Sequence, residues 1–573
     1  METFGKASTG PAGTSATVDR VGRSALRLAA ASLSFLGGLC LAVLGAGPAF
    51  GLGSPTTSAT VSSTTANVTT SSARSVLVLD GHGWGHGLGM SQWGAYGYAK
   101  HGWSYRRILA HYYTGTSLGP APAKAEAVRV LLVAAKKATL TSGVAWTVTD
   151  SAGRQTKLAP GALVLKGALA LAARSALQPP YTFSAAEPIS VDGAPYRGKL
   201  TVSATGKLVQ VIDVVGLEQY LKAVVPSEAP SNWPPEALKA QAVAARSYAL
   251  ANLAKGRPFD LYSDTRSQVY GGIDAESAAT NAAVAATRGQ VVLYNGTVAD
   301  TLFFSTSGGR TASSLEATGT AVPYLVSVPD PYDTLSPYHD WGPVLVDAAK
   351  AAKELKLSAP ISDVELQNGP SGRVSSATVF SADDSQATLT GEQVRAALGL
   401  RSTWFTSALL ELLPTAKTMT YGGAVSLTGT VHGADVVSLE SKTAAQPVWT
   451  PAGAPAPGSG GAFSMIVRPQ ATTQYRLAWG GVRAGLAKIA VAPRVDATVS
   501  AASVSGSIRP AVVSAAVQLQ QQSGTAWKTV SSTVTDTAGA WSFSGALPAG
   551  TYRIRCAPGQ GLAPGVSATL VAQ

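Results

Sequence analysis

The spacing of hydrophobic residues predicts a mixed α+β unit over residues 76–412. After Ser104, apolar side chains recur at positions i, i+3, i+4 and i+7, namely Tyr105, Ile108, Leu109 and Tyr112. This spacing is typical of an amphipathic helix, and Ser91 is placed to cap a shorter helix before it. Apolar runs at 128–134 and 199–215 predict strands, the second of which folds back at a turn over residues 204–207.

Two alanine-rich stretches in the same unit predict closely packed helices. The first begins after Asn232, which precedes two prolines and is expected to cap it, and it runs to about Lys255. The second covers residues 275–287. It leads into the pair Asn295-Gly296, which is the strongest short-range signal for a β-hairpin.

From Pro414 onward helical spacing ends, and short alternating runs predict strands. They are separated by turns rich in Gly, Pro and Thr, and they lie at 425–431, 474–479, 516–520 and 551–556. We predict two small β-sandwich (Ig-like) domains, 413–493 and 494–573. The fold class is therefore predicted to be α+β, with a mixed core unit followed by two all-β domains that act as binding or spacer modules.

The first 75 residues have the pattern of a leader and a tether. Arg20, Arg23 and Arg27 precede an uncharged stretch over 28–46, and small residues follow up to position 51. This order is typical of a secretory signal peptide, although the stretch is long enough to remain as a membrane anchor. Residues 52–75 are rich in Ser and Thr, which predicts a flexible linker. With either fate of the leader, the rest of the chain is expected outside the cytoplasmic membrane, secreted or anchored.

Charge and cysteine content narrow the classes of partner and chemistry. Of 573 residues, 44 are Lys or Arg and 32 are Asp or Glu, which gives a net charge of +12 and favours an anionic partner. The expected location argues against nucleic acid as that partner. Because Cys40 lies in the leader, Cys556 would be the single cysteine of a processed protein, which excludes an internal disulfide and a cysteine-based metal cluster.

Four segments contain most of the polar residues that can carry chemistry. They are the glycine–histidine block at 85–116, the segment 225–248, the Ser-Gln-Val-Tyr-Gly-Gly run at 267–272 and the Phe-Phe-Ser-Thr-Ser-Gly-Gly-Arg-Thr run at 303–311. Together they resemble the stage II sporulation protein D / LytB (SpoIID/LytB) family over roughly residues 76–405. The resemblance implies either a lytic transglycosylase that cuts peptidoglycan glycan strands or an enhancer of wall amidases.

The order of these segments differs from that of many family members. There the glycine–histidine block closes the domain after a segment like residues 398–405, whereas here it precedes the other motifs, as in a circular permutation. Permutation is tolerated where the two ends of a domain lie close together. We therefore expect residues 76–116 to pack beside residues 398–410.

Glu228 is the candidate general acid. A helix is predicted over 217–224 and a loop over 225–230, so Glu228 would lie between two prolines just ahead of a helix N-terminus. A carboxyl shielded from water has a raised pKa, as a general acid requires, whereas a helix N-terminus would lower that pKa. The resemblance implies that this single carboxyl protonates the glycosidic oxygen and then accepts a proton from the substrate's C6 hydroxyl. Ordinary glycosidases need two carboxylates.

The other polar residues of the four segments are candidate substrate ligands. They are His86, Ser91, Gln92, Gln241, Arg246, Gln268, Tyr270, Ser305, Ser307 and Gly308. Arg246 is expected to pair with a substrate carboxylate or with Glu228, or else to lie on the outer face of its helix. Four aromatic residues are expected either to stack on sugar rings or to belong to the core, namely Trp84, Trp93, Trp233 and Tyr270.

No metal or other cofactor is predicted. Some relatives carry a Cys…His-Cys cluster before the Gln-x-Tyr motif, but residues 262–267 contain no soft ligand here. His82 and His86 are four residues apart in a glycine loop, so the helical geometry of paired zinc-binding histidines does not apply. We expect them to hydrogen-bond at the cleft or to pack the loop.

These observations predict a secreted peptidoglycan lytic transglycosylase with Glu228 as its acid and base. The alternative is a non-catalytic wall-binding protein that stimulates an amidase and tolerates Gln at position 228. A third interpretation, an adhesive wall protein, would rest on the two sandwiches alone. The expected partners are peptidoglycan glycan strands, anionic wall polymers and, for the alternative, a wall amidase.

Overall fold

The computed structural model describes residues 68–122, 127–167, 177–254 and 256–573. The predicted leader and most of the tether lie outside these ranges, as does Cys40. Within them the fold is mixed α+β, with helices confined to the first 400 residues. None of the described helices is long and apolar enough to cross a membrane.

The described residues form eight α-helices. In chain order they are α1 Gln92–Lys100, α2 Tyr105–Tyr112, α3 Leu217–Glu228, α4 Pro235–Ala251, α5 Ala278–Ala286, α6 Ser314–Thr318, α7 Ala348–Glu354 and α8 Gly391–Leu398. The side chains of Ser91 and Ser104 accept hydrogen bonds from backbone N–H groups in the first turns of α1 and α2. The predicted cap at Ser91 is confirmed, and Ser104 caps α2 in the same way.

Helix α4 begins later than predicted and without the expected cap. Its first residue is Pro235, and Pro234 precedes it without a side-chain hydrogen bond. The prediction that Asn232 caps this helix is wrong, because the two prolines themselves fix the backbone for the first turn. The alanines of α4 are buried on several sides, so Ala240 and Ala244 face one core cluster while Ala242 and Ala245 face another.

The first fifteen strands complete two sheets beneath the helices, and β1 to β4 each belong to a different further sheet. They are β1 Thr69–Thr70, β2 Ser75–His82, β3 Met90–Ser91, β4 Ser117–Pro120, β5 Ala127–Ala135, β6 Lys137–Ser142, β7 Trp146–Thr149, β8 Gln155–Leu158, β9 Gly161–Lys166, β10 Tyr181–Ala185, β11 Ile189–Val191, β12 Ala194–Tyr196, β13 Lys199–Thr205, β14 Leu208–Gly216 and β15 Leu261–Tyr262. A seven-stranded sheet has the order β15-β5-β14-β13-β10-β7-β8, and a four-stranded sheet has the order β12-β11-β6-β9. Helices α3, α4 and α5 share one apolar cluster with β5 and β14.

The next eight strands connect the helical layer to the rest of the chain. They are β16 Gln290–Tyr294, β17 Thr297–Val298, β18 Phe303–Phe304, β19 Asp340–Asp347, β20 Ile361–Asn368, β21 Val374–Ser381, β22 Gln386–Thr390 and β23 Phe405–Glu411. The predicted hairpin forms, with positive φ at both turn residues, Asn295 and Gly296. We expected its second strand to run over 298–306, but β17 ends at Val298, and the chain then places β18 parallel to β3.

Strand β2 joins the beginning of the described chain to residues beyond position 400. It pairs antiparallel with β23 from Ser75↔Glu411 to Gly81↔Phe405, and with β19 on its other side. Beyond the strand, Gly85 N donates to Arg401 O at 2.9 Å, and Ser402 Oγ donates to His82 O. The glycine–histidine block therefore lies directly against residues 401–405.

The last sixteen strands form four sheets. They are β24 Leu413–Pro414, β25 Thr418–Thr420, β26 Val425–His432, β27 Ser438–Thr443, β28 Thr450–Gly453, β29 Ala462–Val467, β30 Thr473–Trp479, β31 Val482–Ala492, β32 Arg494–Val499, β33 Ser503–Arg509, β34 Ala516–Ser523, β35 Ala526–Val534, β36 Ala540–Ser544, β37 Gly550–Ala557, β38 Gly565–Val566 and β39 Leu570–Ala572. The two sheets before Pro493 share one apolar core, and the two after it share another. The first core also contains Val76 and Leu410, so it is continuous with the β2–β23 pair.

Candidate active site

Glu228 is the last residue of helix α3. The helix continues through Pro226, and Ala229 N closes its end by donating to Val225 O at 2.9 Å. The prediction of a loop ahead of a helix N-terminus is wrong, because a proline in the final turn removes one helical hydrogen bond without breaking the turn. At the C-terminal end of α3 the helix dipole disfavours an ionised carboxylate, the opposite of the effect expected at an N-terminus.

The carboxyl group of Glu228 is held by two neighbouring segments. Val269 N donates to its Oε1 at 2.7 Å, and Gln92 Nε2 lies 3.5 Å from its Oε2. Gln92 Nε2 also donates to the backbone oxygen of Glu228 at 2.9 Å. Burial raises the pKa of Glu228 to about 7, and the two hydrogen bonds oppose that rise. Near neutral pH the group can therefore both give and accept a proton.

An aromatic cluster lies beside this carboxyl. Trp93, which follows Gln92 on α1, lies 5.3 Å from Tyr96 and 5.1 Å from Trp233 between ring centroids. Trp93 and Tyr96 are half-buried, and the three rings pack with Ala229. Tyr96 was missed by the sequence analysis, although its spacing of three residues from Trp93 places both on one side of a helix.

The candidate Ser305 lies near the start of α1, whereas Trp84 belongs to another cluster. Ser305 O accepts a hydrogen bond from Trp93 N at 3.0 Å, and its hydroxyl lies 3.2 Å from Thr306 Oγ1. Trp84 packs edge-on against Tyr338 at 4.5 Å, with the Arg401 guanidinium over its ring. Ser305 therefore remains a candidate for substrate contact beside the aromatic cluster.

Gln268 and Tyr270 flank Val269 but point into the protein interior. Gln268 is fully buried, accepts from Tyr220 OH at 3.1 Å and donates to Ala245 O. Tyr270 OH donates to Asp213 Oδ2 at 2.8 Å. Both side chains are buried and bonded internally, which does not favour the substrate contacts predicted for them. Their contacts fix the backbone that presents Val269 N to Glu228.

Asp213 is a fully buried carboxyl that the sequence analysis missed, since a lone Asp in an apolar strand gives no functional signal. Burial raises its pKa to about 7, against the hydrogen bond from Tyr270. A raised pKa means that the folded state binds more protons than the unfolded state above about pH 4. The stability contributed by the protonated group is thus lost as pH rises through 7.

The melting temperature of the wild type should decrease between pH 5 and pH 8, and we expect Asp213→Asn to reduce this decrease. The amide oxygen can still accept from Tyr270, while the proton uptake is removed. Scanning calorimetry across this range measures the effect, with Asp192→Asn on an exposed turn as the matched control. An unchanged pH slope in Asp213→Asn would contradict the prediction.

Arg246 is fully buried and pairs with Glu218. Its Nε and Nη2 each donate to one Glu218 carboxylate oxygen at 2.8 Å, and Nη1 donates to Gln290 O at 3.1 Å. The predicted pairing with Glu228 and the predicted outer-face position are both wrong, because the bidentate ion pair joins α4 to the first turn of α3 instead. Gln241, one turn earlier on α4, is also buried, so it cannot contact a glycan at the surface.

Ser91, Ser307 and Gly308 meet at Asp333, a buried carboxylate that the sequence analysis also missed. Its Oδ1 accepts from Ser91 Oγ at 2.9 Å and from Ser307 N at 3.0 Å. Its Oδ2 accepts from Gly308 N at 2.9 Å and lies 3.1 Å from His339 Nδ1. A Cβ at Gly308 would lie 2.7 Å from His82 Cβ, so this glycine permits close contact with the glycine–histidine block rather than with a ligand. Through their bonds to Asp333, Ser91, Ser307 and Gly308 stabilise the interior of the protein around the candidate site.

Both ring nitrogens of His86 also form hydrogen bonds within the protein. Leu88 N donates to its Nδ1 at 3.0 Å, so its Nε2 carries the proton and donates to Phe303 O at 3.1 Å. Burial, with the nearby Arg395 charge, lowers the pKa of His86 to about 4 and keeps the ring neutral. His82 lies 2.6 Å from Asp340 instead, and no group of three or more His, Cys, Asp or Glu suited to a metal occurs in the described ranges.

Comparison with known proteins identifies the family. The sequence model of a family described as "Stage II sporulation protein" matches residues 205–294. An uncharacterized protein of Brachyspira hyodysenteriae is 38% identical over 149 residues, 26% of this chain and 40% of that protein. The amidase enhancer of Bacillus subtilis is 35% identical over 185 residues, 32% of this chain and 25% of that protein. The chain thus spans less than half the length of these two relatives.

Two further comparisons differ in what they support. A two-domain fibronectin type-III segment of chicken tenascin aligns with 28% of this chain and 97% of its own, at 14% identity and a TM-score of 0.19, which supports no conclusion about fold. Stage II sporulation protein D of Bacillus subtilis is 30% identical over 251 residues, covering 41% of this chain and 72% of that protein. With that coverage, and with the family model that matches residues 205–294, the chain belongs to the stage II sporulation protein D family.

Proposed function

We propose that this protein is a lytic transglycosylase that cleaves peptidoglycan glycan strands outside the cytoplasmic membrane. The observation that carries the proposal is the environment of Glu228, a shielded carboxyl with a pKa of about 7 beside an aromatic cluster. Its pKa is set by burial and two hydrogen bonds, so it is protonated in a useful fraction near neutral pH. Aromatic rings at such a position stack on the apolar faces of sugars.

The chemistry requires one proton to be given and one to be taken back. Protonated Glu228 donates to the glycosidic oxygen as the bond from that oxygen to the sugar C1 breaks. The C6 hydroxyl of the same sugar then attacks C1 and loses its proton to the Glu228 carboxylate, closing a 1,6-anhydro ring. No water is consumed, and the acid is regenerated for the next cycle.

The neighbours of Glu228 have separate roles in this scheme. Val269 N stabilises the carboxylate form through its 2.7 Å bond to Oε1, and Gln92 ties the end of α3 to α1. Trp93 and Tyr96 offer the half-exposed rings for the glycan. The internal contacts of Arg246 and Asp333 hold the helices and loops in place, so that these groups keep their geometry.

The reaction rate is expected to fall above about pH 7. The acid must be protonated at the start of the cycle, and its pKa is about 7, so kcat/KM should fall about tenfold per pH unit well above that value. Initial rates on peptide-free glycan strands between pH 5 and 9 test this, with circular dichroism to show that the protein stays folded. A rate that is constant up to pH 9 would be incompatible with Glu228 as the acid.

Mass spectrometry of the products tests the proposed reaction. The full chain is incubated with intact and with peptide-free glycan strands, in parallel with Glu228→Gln. Fragments one water lighter than hydrolysis products, formed by the wild type and not by the variant, are the expected result. Reducing-end products without the anhydro ring would instead indicate a hydrolase with a second carboxylate.

A second candidate is a non-catalytic enhancer of a wall amidase. It is favoured by the 35% identity to a protein whose name is amidase enhancer. In that case the folded protein yields no glycan products, and Glu228→Gln stimulates a wall amidase as well as the wild type does. Both functions place the chain in the cell wall, where its net charge of +12 suits anionic polymers.

A further inference from the structure

A crevice lies between the two C-terminal sandwiches, away from the helices that hold Glu228. Its cavity volume is about 460 Å³, and it is lined by strands β27, β30 and β31 on one side and by residues 561–563 on the other. Among the lining residues are Lys442, Gln474 and Lys488, and none of the lining residues is acidic. The crevice therefore offers positive charge without an internal counter-ion.

The two lysines and the glutamine form one row across three strands. Lys442 pairs with Gln474 on β30, and Gln474 pairs with Lys488 on β31, so their side chains leave the same face of the sheet. Adjacent strands are about 4.8 Å apart, which places the two lysine backbones about 10 Å apart. An anionic group between them can contact both ammonium groups and the amide.

The next row of residues on the same face differs from the lysine row, because its cationic side chains are paired with a carboxylate. There Glu440 accepts from Arg476 at 2.7 Å and from Arg483 at 3.1 Å, so each guanidinium group has a carboxylate partner. No carboxylate takes that role for Lys442 or Lys488 within the described residues.

Both domains build the crevice. Thr472 N donates to Gly561 O, and Ala563 N donates to Val491 O, each at 2.8 Å. These bonds fix the loop of the second sandwich against the sheet of the first. Trp449 forms part of the same face, with Lys442 Nζ at 4.8 Å and the Arg476 guanidinium at 4.0 Å from its ring.

We propose that this crevice binds phosphodiester groups of an anionic polymer. This proposal rests on the proposed function in one respect only, namely that the protein lies outside the cytoplasmic membrane. Two ammonium groups and an amide suit a tetrahedral oxyanion, because each approaches it as a separate donor. Planar carboxylates are recognised best by free arginine side chains, and the arginines of this face are already paired with Glu440. The sandwiches would then hold the protein on the polymer while Glu228 acts on glycan.

Binding of oligomeric glycerol phosphate to the full chain tests the proposal. Isothermal calorimetry at low salt compares the wild type with Lys442→Gln/Lys488→Gln and with the matched control Lys166→Gln/Lys528→Gln. We expect the crevice variant to lose at least about tenfold in affinity and the control to bind as the wild type does. The dependence of affinity on salt should also weaken in the crevice variant alone.

Three results would overturn the proposal. They are no binding by the wild type, equal losses in the crevice variant and the control, and tighter binding of polygalacturonate, a carboxylate polymer, than of glycerol phosphate. Glu228→Gln should bind glycerol phosphate as the wild type does. Because the assay contains no glycan strands, failure of the catalytic proposal leaves this result unaffected.

Discussion

Replacing Glu228 with Gln is expected to lower the turnover of peptide-free glycan strands by about 10²–10⁴-fold. The amide keeps the shape of the side chain and can still accept from Val269 N, but it cannot give a proton to the glycosidic oxygen. Because the wild-type carboxyl is half protonated near pH 7, the substitution removes the acid without burying a new charge. The melting temperature at pH 7 should therefore stay close to that of the wild type.

Glu187→Gln is the matched control for this measurement. Glu187 is exposed, so the same chemical change there leaves the site untouched. Initial rates of anhydro-product formation, with circular dichroism spectra of all three proteins, separate loss of chemistry from loss of fold. A folded Glu228→Gln protein that kept more than about a tenth of the wild-type rate would contradict the assignment of the acid.

Replacing Asp333 with Ala is expected to cost about 3–5 kcal/mol of unfolding free energy, the range for breaking a buried charged network by removing one partner. The carboxylate is fully buried and accepts from Ser91 Oγ, from two backbone N–H groups and from His339. Alanine leaves the N–H groups of Ser307 and Gly308 buried without an acceptor. The loop that contacts α1 would then lose its anchor.

Denaturant unfolding of Asp333→Ala and Asp340→Ala separates this network from an ordinary surface ion pair. Asp340 pairs with His82, but its side chain is 71% exposed, so its loss should cost no more than about 1 kcal/mol. Asp333→Asn should fall between the two, since its amide oxygen can replace one acceptor but not both. Equal denaturant midpoints for Asp333→Ala and Asp340→Ala would contradict the prediction that the buried network contributes more to stability than the surface ion pair.

Local signals in the sequence predicted the local structure well. Ser91 and Ser104 cap their helices, and the Asn295-Gly296 turn forms, because each depends on side chains and backbone within a few residues. The hairpin over 199–215 and the strand around 128–134 also form as predicted. The resemblance to the SpoIID/LytB family, rather than a local signal, singled out Glu228 and Gln92, which do lie together in the structure.

Contacts between distant segments could not be predicted in the same way. Arg246 interrupts an alanine-rich helix, but this pattern does not indicate which residue pairs with it. Its partner, Glu218, lies on a different helix. Asp213 and Asp333 lie outside the motifs that the sequence analysis singled out, and their hydrogen bonds come from Tyr270 and Ser307, which are distant in the chain. Burial of such groups is a property of the assembled core, and hydrophobic spacing does not encode it.

Glu228 itself shows how a local rule can mislead. Two prolines around it predict a loop, but the tertiary contacts of α3 hold a helical turn through Pro226. The consequence is chemical as well as structural, because the C-terminal end of a helix favours the neutral carboxyl that a general acid requires. The structure thus strengthens the case for the acid while changing the reason for it.

The measurement that tests the central claim most directly is cleavage of peptide-free glycan strands in water enriched with ¹⁸O, followed by mass spectrometry at the earliest detectable turnover. If the C6 hydroxyl is the nucleophile, the new anhydro ends contain only oxygen from the substrate, and no label enters the wild-type products. A hydrolase would place one solvent oxygen at each new end. Incorporation of ¹⁸O at C1 would therefore contradict the proposed single-carboxyl mechanism at Glu228.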